Sequence, residues 1–129
     1  MLNNVAVLVA EDQTFIALDL SLAVEDVGGQ VLGPVGSSRE GMALIAAGSV
    51  GAAIVDMNLA DGESTPLVEA LVALGVPFII HTAVDLPQAL AARFPDLVVQ
   101  TKPCRAAKLI ARLGTMVAEH ARSDGAKSA

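Results

Sequence analysis

The chain has 129 residues, of which 53% are hydrophobic, and it carries a formal net charge of −6 with an isoelectric point near 4.6. This length suits one domain around a single core, and the negative charge disfavours binding to nucleic acid or to anionic membranes. Short apolar runs, a start without a signal peptide and a single cysteine, Cys104, together predict a cytoplasmic protein that neither crosses a membrane nor depends on a disulfide.

Five short apolar runs alternate with segments of helical period, which is the pattern of an α/β fold. The runs lie at residues 5–10, 30–35, 52–57, 76–81 and 97–100. Because they are continuous rather than alternating in polarity, we expect parallel strands that are covered by helices on both faces.

The first helix is predicted from about Gln13 to Val27. Asp12 is placed to cap its start, and Gly28 and Gly29 mark its end. Its predicted buried stripe comprises Phe15, Leu18, Leu22 and Val27.

Two further helices have clear start signals. Ser37 or Ser38 can cap a helix that extends to about Ala47. The next helix has Pro66 in its first turn and ends at Gly75. Its predicted buried residues are Leu67, Leu71 and Leu74.

The last two predicted helices differ greatly in length. The segment between Pro87 and Pro95 allows little more than two helical turns. A longer helix, predicted from about Arg105 to Ala121, would bury Leu109, Ile110, Leu113 and Val117. The sequence therefore predicts one domain over residues 1–121, followed by a flexible tail at 122–129.

Polar residues of different kinds follow four of the predicted strands. Glu11 and Asp12 follow the first, Asp56 the third, Thr82 the fourth and Lys102 the fifth. Parallel strands end at one edge of the sheet, where open α/β folds place their ligand sites, so we expect these side chains to share a cleft. Such a cleft can hold a divalent cation and a phosphoryl group together.

In this order and spacing the chain resembles the response-regulator receiver domains of two-component signalling, over about residues 4–118. The stretches VDMNLADGES and GVPFIIHT resemble in particular the small single-domain receivers of alphaproteobacteria. The resemblance implies a doubly wound, five-stranded parallel sheet of flavodoxin-like order 2-1-3-4-5. It also implies a signalling domain, not an enzyme that turns over a separate substrate.

The resemblance implies a role for each matched residue. Asp56 would accept a phosphoryl group from a histidine kinase or a histidine phosphotransfer protein. Glu11, Asp12, Asp56 and the backbone carbonyl of Asn58 would hold Mg²⁺, with Glu11 acting directly or through a water.

Lys102 would pair with one phosphoryl oxygen, and Thr82 would hydrogen-bond another oxygen after transfer. A cis peptide bond at Lys102–Pro103 is also implied. With no output domain after the last helix, the signal is expected to pass by contact to an unknown downstream protein, from a monomer or a homodimer.

One departure from the family pattern concerns the readout of phosphorylation. Val99 stands where many receivers carry a tyrosine or phenylalanine that turns inward on activation. We hypothesise that activation instead reshapes or orders residues 83–95. His81 is interpreted as a strand-end histidine that makes its own hydrogen bonds rather than as a ligand.

Two alternatives stay open. A degenerate receiver could act as a binding module that does not depend on phosphorylation. A small Mg²⁺ phosphatase of the haloacid-dehalogenase kind uses similar residues, but there the nucleophile precedes the acid pair, whereas here the acid pair comes first. A dinucleotide or flavin site is disfavoured because the first strand-to-helix turn, AEDQTF, lacks glycine and is acidic.

Overall fold

The computed structural model describes residues 1–128, with the side chains of residues 1–123. The strands are β1 (Ala6–Ala10), β2 (Gln30–Val35), β3 (Ala52–Val55), β4 (Asn58–Leu59), β5 (Gly62–Glu63), β6 (Phe78–Thr82) and β7 (Val99–Thr101). The helices are α1 (Thr14–Asp26), α2 (Ser38–Ala47), α3 (Thr65–Leu74), α4 (Gln88–Arg93) and α5 (Ala106–Ser128). The two short strands β4 and β5 form a separate hairpin that the sequence pattern did not predict.

The main sheet has five parallel strands in the order β2-β1-β3-β6-β7. Because β4 and β5 form the separate hairpin, β6 and β7 are the fourth and fifth strands of the predicted order 2-1-3-4-5, which is confirmed. β3 lies at the centre, between β1 and β6. Ala10 pairs with Val55, and Thr82 pairs with Thr101. The carboxyl ends of these four strands therefore meet at one edge of the sheet.

Helices cover both faces of the sheet, as predicted. α1 and α5 pack on one face through Leu20, Val24, Leu109, Ile110 and Leu113. α2, α3 and α4 cover the other face, where the buried helical residues are Leu67, Val68, Leu71 and Leu90. Successive strand residues alternate between the two cores, so the central strands β1 and β3 are apolar throughout.

The predicted buried face of α1 is wrong for three of its four residues, and only Val27 packs against the core, half-buried. Phe15, Leu18 and Leu22 are 83%, 51% and 50% exposed. The helix instead buries Ala17, Leu20, Ser21 and Val24. Residues 17, 20 and 24 have the same spacing as 15, 18 and 22, so periodicity could not separate the two faces. The inward stripe contains the small residues, which allow α1 to approach the sheet and α5 closely.

Asp12 does not cap α1 either. Gln13 occupies the N-cap position, and it makes no side-chain cap hydrogen bond. The other helix signals are reliable: Ser37 caps α2, Pro66 lies in the first turn of α3, and Gly75 ends α3 in the left-handed conformation.

Leu74 was predicted to be buried but is 51% exposed. The inward face of α3 is formed by Leu67, Val68 and Leu71. Leu74 lies at the margin of this face, at the last residue of the helix. α4 has only six residues, as expected from the flanking prolines.

α5 continues to Ser128, beyond its predicted end at Ala121. The flexible tail predicted at residues 122–129 stays a prediction, because Ala129 and the side chains from residue 124 onwards lie outside the described residues. Among residues 1–128, no helix combines the length and the hydrophobicity needed to span a membrane.

Candidate functional site

Three carboxylates converge beyond the carboxyl ends of β1 and β3. One oxygen each of Glu11, Asp12 and Asp56 lies within 4.8 Å of the others. The backbone N–H of Glu11 donates to the carbonyl of Val35 at 2.8 Å, and that of Asp56 donates to Ala10 at 2.9 Å. The sheet's hydrogen bonding thus extends into the site and fixes the backbone of two acids. Glu11 and Asp56 are buried, whereas Asp12 is exposed.

The ammonium group of Lys102 joins two of these acids. Its Nζ lies 2.8 Å from Oε1 of Glu11 and 2.8 Å from Oδ2 of Asp56. The backbone N–H of Lys102 donates to the carbonyl of Thr82 at 2.8 Å, so β6 holds the residue in place. The peptide bond between Lys102 and Pro103 is cis, as the sequence resemblance implies.

Burial and hydrogen bonding shift the pKa values of Glu11 and Lys102. Burial raises the pKa of Glu11, and hydrogen bonds from Lys102 and from the N–H of Gln13 offset only part of the effect. Burial alone would lower the pKa of Lys102, but its hydrogen bonds to Asp56 and Glu11 outweigh it and the pKa is raised. Lys102 therefore stays charged, while Glu11 accepts a proton more readily than an ordinary glutamate.

Thr82 and Asn58 lie beside this charge network. A cavity of about 260 Å³ opens over Asp56 and is lined by Asp12, Gln13, Asp56, Asn58, Thr82, Ala83, Val84 and Lys102. The hydroxyl of Thr82 accepts the N–H of Val84 at 3.3 Å, and the N–H of Asn58 donates to Oδ1 of Asp56 at 3.2 Å. The structure thus brings together all six residues singled out in the sequence, and their chemical roles remain predictions.

Sequence reasoning missed Ser64. This residue is fully buried, and its hydroxyl donates to the backbone carbonyl of Asp56 at 2.7 Å. The only signal in the sequence is a serine directly before a helix, which normally predicts a cap for that helix.

Asp61, at the tip of the β4–β5 hairpin, is a second residue that sequence reasoning missed. Its carboxylate accepts the backbone N–H groups of Ser38 at 2.8 Å and Arg39 at 3.1 Å, in the first turn of α2. These hydrogen bonds lower the pKa of Asp61. The hairpin beside the site is thereby attached to a neighbouring helix.

The prediction that His81 makes its own hydrogen bonds is wrong. The side chain is 3% exposed, and neither ring nitrogen has a hydrogen-bond partner among the described residues. His81 lines a second cavity of about 490 Å³ between α1 and the β7–α5 loop. Burial, followed by the nearby charge of Lys102, lowers its pKa below the ordinary value of 6.5.

We expect His81→Leu to stabilise the fold and to change its acid sensitivity. Because the pKa of His81 is lower in the folded state, the neutral histidine makes its full contribution to stability above about pH 6.5, and this contribution is lost as the pH falls through the lowered pKa. Replacing two unpaired ring nitrogens by an apolar side chain should raise the unfolding free energy at neutral pH by about 1–3 kcal/mol. Urea unfolding across this pH range should show a smaller loss of stability on the acid side in His81→Leu than in wild type, and equal losses would contradict the assignment.

Solved structures of receiver domains resemble this fold. A CheY-like response regulator receiver domain protein from Methanospirillum hungatei JF-1 has a TM-score of 0.81 at 21% identity, covering 92% of this chain and 97% of that chain. SdrG from Sphingomonas melonis Fr1 is 34% identical, with a TM-score of 0.69 and coverage of 88% and 98%.

Two further structures extend the comparison. A BeF3-activated conformation of SdrG, described from Pseudomonas melonis Fr1, has a TM-score of 0.65 at 33% identity, covering 88% of this chain and 98% of that chain. The response regulator PhyR from Brucella abortus has a TM-score of 0.77 at 24% identity, and the match covers 95% of this chain but only 51% of PhyR. No model of a protein family and no curated protein matches the sequence.

Proposed function

Because this chain belongs to the response-regulator receiver domains, we propose that it is a phosphoacceptor whose Asp56 is phosphorylated by a histidine kinase or a histidine phosphotransfer protein. The observation that carries the proposal is the geometry at Asp56. Its carboxylate lies at an open cavity, 2.8 Å from a lysine ammonium and beside a threonine hydroxyl. The relative SdrG, with a structure in a BeF3-activated conformation, supports the same chemistry.

In the proposed reaction, a carboxylate oxygen of Asp56 forms a bond to phosphorus while the bond between phosphorus and the donor's imidazole nitrogen breaks. The electron pair of the broken bond stays on the imidazole. Negative charge on the phosphoryl oxygens is met by the ammonium of Lys102, which lies at the same cavity. The O–H of Thr82 can donate to the transferred group, because its oxygen already accepts the N–H of Val84.

The acid cluster fits Mg²⁺. Three carboxylates offer hard oxygen ligands within 4.8 Å of one another, and Asn58 lies at the same cavity. We propose Glu11, Asp12, Asp56 and the backbone carbonyl of Asn58 as its ligands. When bound, Mg²⁺ would supply positive charge against the phosphoryl oxygens.

The first test is the intact mass of the purified chain after incubation with acetyl phosphate and Mg²⁺. We expect the added mass of one phosphoryl group with Mg²⁺ and no addition when EDTA removes the metal, because the acid cluster then repels the incoming anion. No adduct at short times, together with no binding of beryllofluoride, would contradict the proposal. The chain would then be a binding module that acts without phosphorylation.

A protein donor must cover the surface around the cavity, and α1 offers an apolar stripe there. Phe15, Leu18 and Leu22 lie on the exposed side of α1, which begins two residues after Asp12. Exposed apolar groups that lie together are typical of contact surfaces. The stripe supports a donor that is a protein rather than a small molecule.

We expect Phe15→Glu to slow phosphorylation by a histidine kinase that modifies the wild-type chain, by roughly 10-fold or more, because an aromatic anchor is lost. Phosphorylation by acetyl phosphate should be unchanged, since the cavity is not altered. Leu74→Glu is the control, because Leu74 is also an exposed apolar residue but lies at the end of α3 that leads to the amino end of β6. Equal rates with the kinase for both variants would exclude the α1 stripe as the docking surface.

A further inference from the structure

Ser64 makes an unusual use of a helix-capping position. It is the N-cap residue of α3, where a serine side chain normally accepts a backbone N–H of its own helix, yet it makes no such bond. Ser37, the N-cap of α2, shows the usual arrangement, since its Oγ accepts the N–H of Glu40 at 3.1 Å. The hydroxyl of Ser64 donates instead to the backbone carbonyl of Asp56.

Ser64 also closes the loop between Asp56 and α3. Its backbone N–H donates to the carbonyl of Met57 at 2.7 Å, and its own carbonyl accepts the N–H of Val68 at 3.0 Å in α3. Two hydrogen bonds from one fully buried residue thus join the end of the loop to its beginning. The first turn of α3 and the backbone of Asp56 are held as one unit.

The residues between these two ends are arranged around the same closure. Met57 and Leu59 are buried in the core, whereas Asn58 between them is exposed and lines the cavity over Asp56. Asn58 pairs with Glu63 across the β4–β5 hairpin. Movement of the closure would therefore displace both Asp56 and Asn58.

We propose that Ser64 is a positioning residue for the phosphoacceptor site: it holds the backbone carbonyl of Asp56 and, through the closed loop, the position of Asn58. The proposal rests on the function proposed above. Neighbours that orient metal ligands typically change metal affinity by about 10- to 100-fold when they are removed. Ser64 occupies a helix-capping position without capping α3, and it bonds to the proposed nucleophile instead. A departure of this kind from the usual local pattern is expected where function constrains a residue.

The test compares the Mg²⁺ affinity of Ser64→Ala with that of Ser37→Ala, measured by chemical-shift titration of the full chain. Both variants remove an N-cap hydroxyl, and only Ser64 bonds to Asp56. We expect an affinity loss of roughly 10-fold or more for Ser64→Ala and little change for Ser37→Ala. The carbonyl ¹³C resonance of Asp56 should also shift in Ser64→Ala alone.

Wild-type Mg²⁺ affinity in folded Ser64→Ala would overturn the proposal. Should that variant not fold, Ser64→Cys decides, because it fills the buried space with a weaker donor: an intermediate affinity supports the proposal and wild-type affinity overturns it. These outcomes are separate from the phosphorylation test. A wild-type chain that binds Mg²⁺ but neither forms a phosphoryl adduct nor binds beryllofluoride would contradict the proposed function and leave the role of Ser64 measurable.

Discussion

Asp56→Asn is expected to reduce phosphoryl incorporation below detection, a loss of at least about 10³-fold, under conditions that modify the wild-type chain. The amide has nearly the same shape as the carboxylate but lacks the charged oxygen that would attack phosphorus. The fold should survive, because Lys102 keeps its 2.8 Å contact with Glu11. Intact mass after acetyl phosphate and Mg²⁺ measures the effect, and hydroxylamine should release the wild-type adduct if it is an acyl phosphate.

Two other acid-to-amide changes calibrate this result. Asp19 is exposed on α1 and lies outside the cavity over Asp56, so Asp19→Asn should be phosphorylated like wild type. Asp12→Asn removes a proposed metal ligand but keeps the nucleophile, so its adduct should form slowly rather than not at all. An adduct of wild-type yield on Asp56→Asn would mean that another residue accepts the phosphoryl group.

The sequence was sufficient for the sheet and for the convergence of the polar residues. Strands that are buried on both faces must be apolar throughout, and side chains that end parallel strands must meet at one edge. Glu11 and Asp56 each follow a strand of this kind, Lys102 follows the edge strand β7, and the structure joins the three residues by contacts of 2.8 Å. For these residues, sequence position alone defines the neighbourhood.

The errors arose where the sequence allows two solutions with the same local pattern. α1 carries two apolar stripes of equal spacing, and only packing against α5 and the sheet selects the one that contains Leu20. Ser64 has the sequence signal of a helix cap, but its hydroxyl bonds to a carbonyl eight residues earlier. Choices of this kind depend on tertiary distances, which neither propensity nor periodicity encodes.

The structure also explains why Lys102 has two partners. Three carboxylate oxygens lie within 4.8 Å, so one ammonium offsets part of their repulsion. The same ammonium occupies carboxylate oxygens that we propose as metal ligands. If Glu11 and Asp56 hold Mg²⁺ as proposed, the metal would compete with Lys102 for these carboxylates, and the ammonium of Lys102 would then be free to pair with a phosphoryl oxygen.

This competition predicts opposite effects of Lys102→Met on metal binding and on phosphoryl transfer. Removing the ammonium should leave Mg²⁺ affinity unchanged or raise it, because the acids lose a competing cation. Phosphorylation by acetyl phosphate should slow by about 10²- to 10³-fold, the usual effect of removing one charged donor from a transition state. Titration with Mg²⁺ and the rate of adduct formation by intact mass measure the two effects separately.

Lys102→Met should also be less stable, because Glu11 and Asp56 lose a buried partner. The loss should stay at about 3 kcal/mol or less, since Glu11, whose pKa is already raised, can take up a proton. Lys108→Met, on the exposed side of α5, is the matched control and should behave like wild type in all three measurements. Unchanged transfer in Lys102→Met would remove this lysine from the mechanism. A collapse of Mg²⁺ affinity would instead show that the ammonium organises the acids rather than competing for them.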